Sequence, residues 1–171
     1  MPRNILVGYA TRYGSTRDTA ETLAAALRGR GLSADVRPLR DVNTLAGYGA
    51  AVIGAPLYLF RWHADARRFL SRRRKELAGI SVAVFALGPT HVPHDEEEWR
   101  DSRRQLDREL ARHPGFSPAA VKIFGGKYDP AMLRFPVKWL AGDVPASDVR
   151  DEAAIRAWAG ELKPILVSAT E

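Results

Sequence analysis

The sequence predicts a doubly wound α/β protein built on a five-stranded parallel sheet with helices on both faces. Three observations carry that expectation. Short, wholly apolar runs alternate with stretches of helical period. The first apolar run opens directly into a turn rich in hydroxyls and glycine, followed by a helix. The 171 residues, 46% of them hydrophobic, suffice for one ordinary folded unit, a single domain over 1–171.

The first strand is read over 5–10, Ile5-Leu6-Val7-Gly8-Tyr9-Ala10. A helix follows over 15–30, because Ala20, Leu23, Ala24 and Leu27 recur on one face between charged residues, and Gly29 and Gly31 bracket its end. The alternation over 33–39 predicts a half-exposed second strand, and Pro38 places it at an edge. The third strand, 50–55, is apolar throughout, as a parallel strand covered on both faces should be, and ends at Pro56.

Residues 63–77 carry Ala66, Phe69, Leu70 and Leu77 among six arginines and lysines, which predicts a surface helix. The fourth strand, 81–87, stops at Gly88-Pro89. A charged helix spans 95–112, acidic at its start as the macrodipole favours. The fifth strand is 119–125, and the last helix, 151–167, aligns Ala154, Ile155, Trp158 and Leu162. Only 126–149, with Pro130, Pro136 and Pro145, is irregular, and no repeat or linker composition interrupts the chain.

Composition narrows the chemistry. The chain has no cysteine, which removes disulfides, thiolate metal sites and cysteine nucleophiles, so redox chemistry requires a bound cofactor. The formal charge of +6 suits an anionic partner, whether nucleic acid, anionic lipid or an acidic small molecule. No run approaches the roughly 18 apolar residues of a spanning helix, and the N-terminus lacks the pattern of a signal peptide. A soluble, cytoplasmic protein is expected.

In open α/β sheets, ligands bind beyond the carboxyl ends of the strands at the topological switch point. The loop Thr11-Arg12-Tyr13-Gly14-Ser15-Thr16 offers three small hydroxyls and the free N–H groups of a helix start, enough to surround a phosphate without a fixed charge. Its plainer reading is an N-cap by Ser15 or Thr16. Pro56, Leu57, Tyr58, Leu59 and Phe60 follow the third strand, and Tyr58, Phe60 and Trp62 offer aromatic surface for a flat ring. Leu87, Gly88, Pro89 and Thr90 follow the fourth.

Other candidates rank lower. His91 and His94 stand at metal-ligand spacing beside Asp95, but Pro93 between them argues against a metal site. His63, at a helix start, reads as a cap or surface residue before an acid or base. The cluster of Arg67, Arg68, Arg72, Arg73, Arg74 and Lys75 reads first as a solvated helix face. No nucleic-acid module accompanies it, which leaves anionic lipid as its open alternative. Residues 132–140 read as a short helix closing the core, with the apolar side chains of 135–140 open to the alternative of a membrane interface.

On these residues the chain resembles the flavodoxin superfamily over essentially its whole length. The family's phosphate loop, T/S-x-T/S-G-x-T, is matched by residues 11–16 except that Tyr13 stands where the family carries Ser or Thr. The opening Thr-Arg-x-Gly-x-Thr-Arg, the run Val52-Ile53-Gly54-Ala55 leading to His63, and Phe124-Gly125-Gly126-Lys127-Tyr128 look especially like the menaquinone-dependent protoporphyrinogen oxidase branch.

The resemblance implies strand order 2-1-3-4-5 and non-covalent FMN. Its phosphate would be held by Thr11, Ser15, Thr16 and neighbouring N–H groups, and its ring flanked by residues 57–60 and 87–90. It implies oxidation of a flat reduced substrate, protoporphyrinogen IX in that branch, with a membrane quinone as acceptor. The segment 129–143, with Met132, Leu133, Phe135, Trp139 and Leu140 beside Lys127, Arg134 and Lys138, corresponds to one associated with substrate or membrane contact. It is shorter than the family's and broken by Pro136. No acid or base residue is assigned. The alternatives are a flavodoxin-type electron carrier, typically acidic where this chain is basic, and a cofactor-less binding domain, which Tyr13 motivates.

Overall fold

A computed structural model describes residues 4–140, 142 and 144–168, with the side chains of Val137 and Lys138 outside the description. Strand β1 (Asn4–Tyr9) leads into helix α1 (Ser15–Arg28), then β2 (Ala34–Pro38), β3 (Tyr48–Tyr58), the short β4 (Arg61–Trp62) and helices α2 (Ala64–Arg72) and α3 (Arg74–Leu77). Strand β5 (Ser81–Leu87), α4 (Glu96–Ala111), β6 (Ala120–Phe124), β7 (Lys127–Tyr128), α5 (Val137–Leu140), β8 (Ser147–Asp148) and α6 (Glu152–Val167) complete the chain.

The main sheet runs β2-β1-β3-β5-β6, all parallel, with β4 attached antiparallel to the end of β3. With β4 set aside, this is the expected 2-1-3-4-5 order. Alternation along each strand sends side chains to two cores. On one face Ile5, Val7 and Phe85 meet Leu23 and Leu27 of α1 and Ile155, Trp158 and Leu162 of α6. On the other, Leu6, Ile53 and Val84 meet Phe69 and Leu70 of α2 and Leu106 of α4. Phe85, Phe124 and Trp158 pack edge-to-face with centroids 5.5 to 6.2 Å apart. Gly54 is required beneath them, since a Cβ there would lie 1.9 Å from the Phe85 ring.

Three expectations need correction. The third strand does not stop at Pro56 but continues to Tyr58. Strand β1 ends opposite Gly54, so β3 has an open flank there that tolerates a residue without an N–H. The helix expected over 63–77 is broken at Arg73 into α2 and α3. The stretch 126–149 contains the β7–β8 ribbon, a 3-10 turn (Pro130–Met132) and α5. It does not close the core: Leu133 is buried, while Phe135, Trp139 and Leu140 are exposed.

Candidate functional site

Helices α1 and α2 leave neighbouring strands β1 and β3 toward opposite faces, so a crevice opens between the loops that follow these strands. A cleft of about 240 Å³ occupies it. The loop after β1 contributes Arg12, Tyr13 and Ser15, and the β3–β4 hairpin contributes Pro56, Leu57, Tyr58 and Leu59. Leu87, Gly88 and Thr90 come from the loop after β5. Thr11, Gly14, Thr16, Phe60 and Pro89 belong to these same loops but do not line the cleft.

The turn into α1 is shaped by its glycine. Gly14 adopts φ 95°, a conformation glycine enters without steric cost, and its N–H donates to Thr11 Oγ1 at 2.8 Å. Gly14 is also the N-cap residue, in place of the expected Ser15 or Thr16, and among the described residues no side chain caps the helix. The partial positive charge of a 14-residue helix therefore faces the head of the cleft without a protein acceptor side chain. In the same first turn, Thr16 is fully buried and its Oγ1 has no hydrogen-bond partner among the described residues. A buried hydroxyl left unpaired costs about 1–3 kcal/mol.

The hairpin is strained. Leu57 pairs with Trp62 and Tyr58 with Arg61, leaving Leu59 and Phe60 as a two-residue turn with φ 46° and 62°. Such turns favour Asn-Gly, because side chains with a Cβ resist positive φ. Here two apolar side chains stand at the tip, 74% and 80% exposed. Trp62 is different from the expectation: it is 1% exposed and its Nε1–H donates to the Ala55 carbonyl at 3.0 Å, so it anchors the hairpin and offers no face to a ligand. Tyr58 does face the cleft, beneath the Arg12 guanidinium.

The far wall comes from the segment after β6, which the resemblance associates with substrate or membrane contact and not with the cofactor. Gly126, Lys127, Tyr128, Asp129, Met132 and Leu133 complete the cleft. Backbone bonds lace this wall to the loop after β5: Gly88 N–H donates to Phe124 O at 3.2 Å and Gly126 N–H to Pro89 O at 2.7 Å. Ser147 Oγ donates to Thr90 O at 2.5 Å, and Glu98 accepts from the N–H groups of Thr90 and His91. Gly88 has no room for a side chain, since a Cβ would meet Ser102 Oγ at 2.5 Å. The sequence signals for it are the run Phe124-Gly125-Gly126-Lys127-Tyr128 and the resemblance of 129–143 to a substrate- or membrane-contact segment, of which Asp129, Met132 and Leu133 line the cleft.

The histidines have separate partners. His63 Nδ1 accepts from Asp65 N–H at 3.1 Å and caps α2; burial pulls its imidazole below the ordinary value, against the pull of Asp65. His91 Nδ1 lies 3.0 Å from Glu98, whereas His94 packs on Trp99. Lys138 and Asp143, named above for the 129–143 segment, lie respectively in side chain and in full outside the described residues.

The sheet order and the crevice at the reversal of connection define a doubly wound α/β protein of the switch-point class. Residues 6–140 match the family model described as Flavodoxin domain, and the chain belongs to that family. It is similar, at 23% identity over 163 residues, to the protoporphyrinogen IX dehydrogenase (quinone) of Escherichia coli K12, with 90% of this chain and 87% of that protein covered. Among solved structures it resembles a short-chain flavodoxin associated with a non-canonical PDU bacterial microcompartment, at TM-score 0.61 and 15% identity with 99% of each chain covered. It also matches rubredoxin oxygen:oxidoreductase of Desulfovibrio gigas at TM-score 0.54 and 14% identity; 98% of this chain is covered, and it spans 36% of that longer one.

Proposed function

We propose that this protein binds FMN non-covalently in the switch-point cleft and acts as a quinone-linked oxidoreductase of the protoporphyrinogen-oxidising kind. The observation that carries the reading is that, among the described residues, the start of α1 has no side-chain cap and the buried Thr16 Oγ1 in its first turn has no hydrogen-bond partner. A phosphate ester fits both: it accepts from the free N–H groups and from the orphaned hydroxyl. The similarity to the quinone-linked dehydrogenase over most of both chains supports the choice of reaction.

The roles follow from position. Thr11, Ser15, Thr16 and the first N–H groups of α1 hold the phosphate, while Arg12, Tyr13 and Gly14 set the loop around it. Pro56, Leu57, Tyr58, Leu59 and Phe60 flank one side of the ring, and Leu87, Gly88, Pro89 and Thr90 the other. When bound, the flavin supplies the redox chemistry, taking up hydrogen from the substrate and passing it to quinone. Arg12 and Lys127 offer cations at the cleft for substrate carboxylates. Leu59 and Phe60 at the β3–β4 turn, Phe135 after β7, and Trp139 and Leu140 of α5 are exposed apolar side chains, suited with their basic neighbours to peripheral contact with an anionic membrane. No helix of the described residues is long and apolar enough to cross one.

The test has two stages. Purified protein should carry or acquire flavin absorbance at micromolar FMN; a colourless protein that fails to bind overturns the reading. With FMN bound, anaerobic protoporphyrinogen IX and a quinone should turn over above the FMN control. Binding without turnover would instead favour the electron carrier.

A further inference from the structure

A second concave site, sharing no lining residue with the switch-point cleft, lies where β4, α2 and the end of α4 meet. Arg61 of β4, Arg67, Arg68, Ser71 and Arg72 of α2, and Arg112 and His113 after α4 line a shallow, open concavity of about 360 Å³. Among the described residues no carboxylate lines it.

Behind the wall lies Glu109, 3% exposed. Arg112 Nη1 stands 3.1 Å from its Oε1, and the Nε atoms of Arg61 and Arg67 are each 3.6 Å from one of its oxygens. One buried carboxylate thus draws together three guanidiniums from three elements that would otherwise repel, although its Oε2 makes no hydrogen bond among the described residues. Arg67 is further fixed by donation from Nε to the Trp62 carbonyl at 3.0 Å. Arg68 lies 3.3 Å from Asp65, one helical turn from Arg72. Five guanidiniums against Glu109 and Asp65 leave a surplus of three positive charges at one concavity.

We infer that this arginine-walled concavity is a binding site for a phosphoryl group, carried by a small phosphorylated molecule or by a lipid headgroup. Guanidinium forks match phosphate oxygens in pairs, and a phosphomonoester brings close to two negative charges to offset the surplus. Ser71 Oγ and the His113 ring, 3.5 Å apart, add hydrogen-bonding groups to the lining. Glu109 is the positioning residue: it touches no ligand but holds Arg61, Arg67 and Arg112 side by side. The site is independent of FMN.

The experiment is a site-resolved NMR titration of the full chain with inorganic phosphate and then pyrophosphate, against sodium chloride at equal ionic strength. Saturable shifts are expected at Arg61, Ser71 and His113, with affinity about tenfold weaker in the double variant Arg68→Gln/Arg72→Gln. Neither substituted residue touches Glu109, and an unchanged melting temperature shows that the variant is folded. Shifts no larger than those in chloride, or equal affinity in the variant, overturn the site. The amides of Ser15, Thr16 and Arg17 report separately on the α1 turn, so failure here is distinct from failure of the flavin reading. Given saturable binding, sedimentation with phosphatidylcholine vesicles containing phosphatidic acid separates the sources. Loss of sedimentation in the variant assigns the phosphate to a headgroup, and equal sedimentation assigns it to a free molecule.

Discussion

The guanidinium carbon of Arg12 lies 4.3 Å from the centroid of the Tyr58 ring, and 5.6 Å from that of Tyr13. This contact ties the phosphate-type loop to the strained hairpin across the cleft, with a contribution of about 0.5–1 kcal/mol at an exposed site. It also places a fixed positive charge at the cleft, where a reduced, anionic flavin would gain most from it.

Arg12→Gln should therefore lower the potential of bound flavin by roughly 20–40 mV, corresponding to about 1–2 kcal/mol for a two-electron couple. Equilibrium titration against a redox dye measures it. An unchanged or raised potential would show that Arg12 does not act on the reduced ring.

Thr16→Val removes the orphaned hydroxyl at nearly constant volume. Without FMN the variant should be more stable by about 1 kcal/mol, because a buried unpaired polar group is lost. With FMN, affinity should fall about tenfold. These opposite signs, read by thermal melts and fluorescence quenching, distinguish a phosphate donor from a residue that merely packs.

Leu59→Asn with Phe60→Gly supplies the residues that a turn with two positive φ angles favours. Stability to urea should rise by about 1–2 kcal/mol. If the exposed tip is functional, quinone reduction or vesicle binding falls in the same variant; stability gained at no functional cost would remove the hairpin tip from the proposed contact surface.

Glu76 accepts from Leu45 N–H at 2.6 Å, Thr44 Oγ1 at 3.2 Å and Arg73 Nη1 at 3.2 Å. The Leu45 bond foremost, with help from Arg73 and Thr44, holds its carboxyl below the ordinary value. Its stabilising effect is thus complete above the unfolded-state pKa and is lost as pH falls through the lower folded-state value. The urea midpoint difference between the parent and Glu76→Gln should be constant near neutrality and shrink as pH drops below about 4. A difference that grows on acidification would contradict the assignment.

Much of the fold was legible because its signals are local. The runs 50–55 and 81–87 read as buried strands from composition alone, and Asp95 and Asp151 cap α4 and α6 where the helix starts were placed. The two faces of the sheet follow from alternation within each strand. Trp62 was misjudged because an aromatic residue after a strand reads the same whether it faces a ligand or a core. Its burial depends on α2 and α4 folding over it. That residues 126–133 wall the same cleft as the β1 and β3 loops is likewise not written in residue type, because the loop after β5 meets Gly126 and Ser147 only after distant strands align.

By itself, then, the sequence determined the doubly wound sheet, the glycine turn at the head of α1 and the absence of thiol chemistry, since each is written in residue type and short-range period. Tertiary structure alone decided that Gly14 leaves α1 uncapped with a buried Thr16 hydroxyl in its first turn, that Leu59 and Phe60 stand strained in solvent, and that Glu109 gathers arginines from three elements. The physical reason is common to all three: burial, orphaned polar atoms and clustered like charges are properties of what a residue meets in space, and those neighbours come from far along the chain.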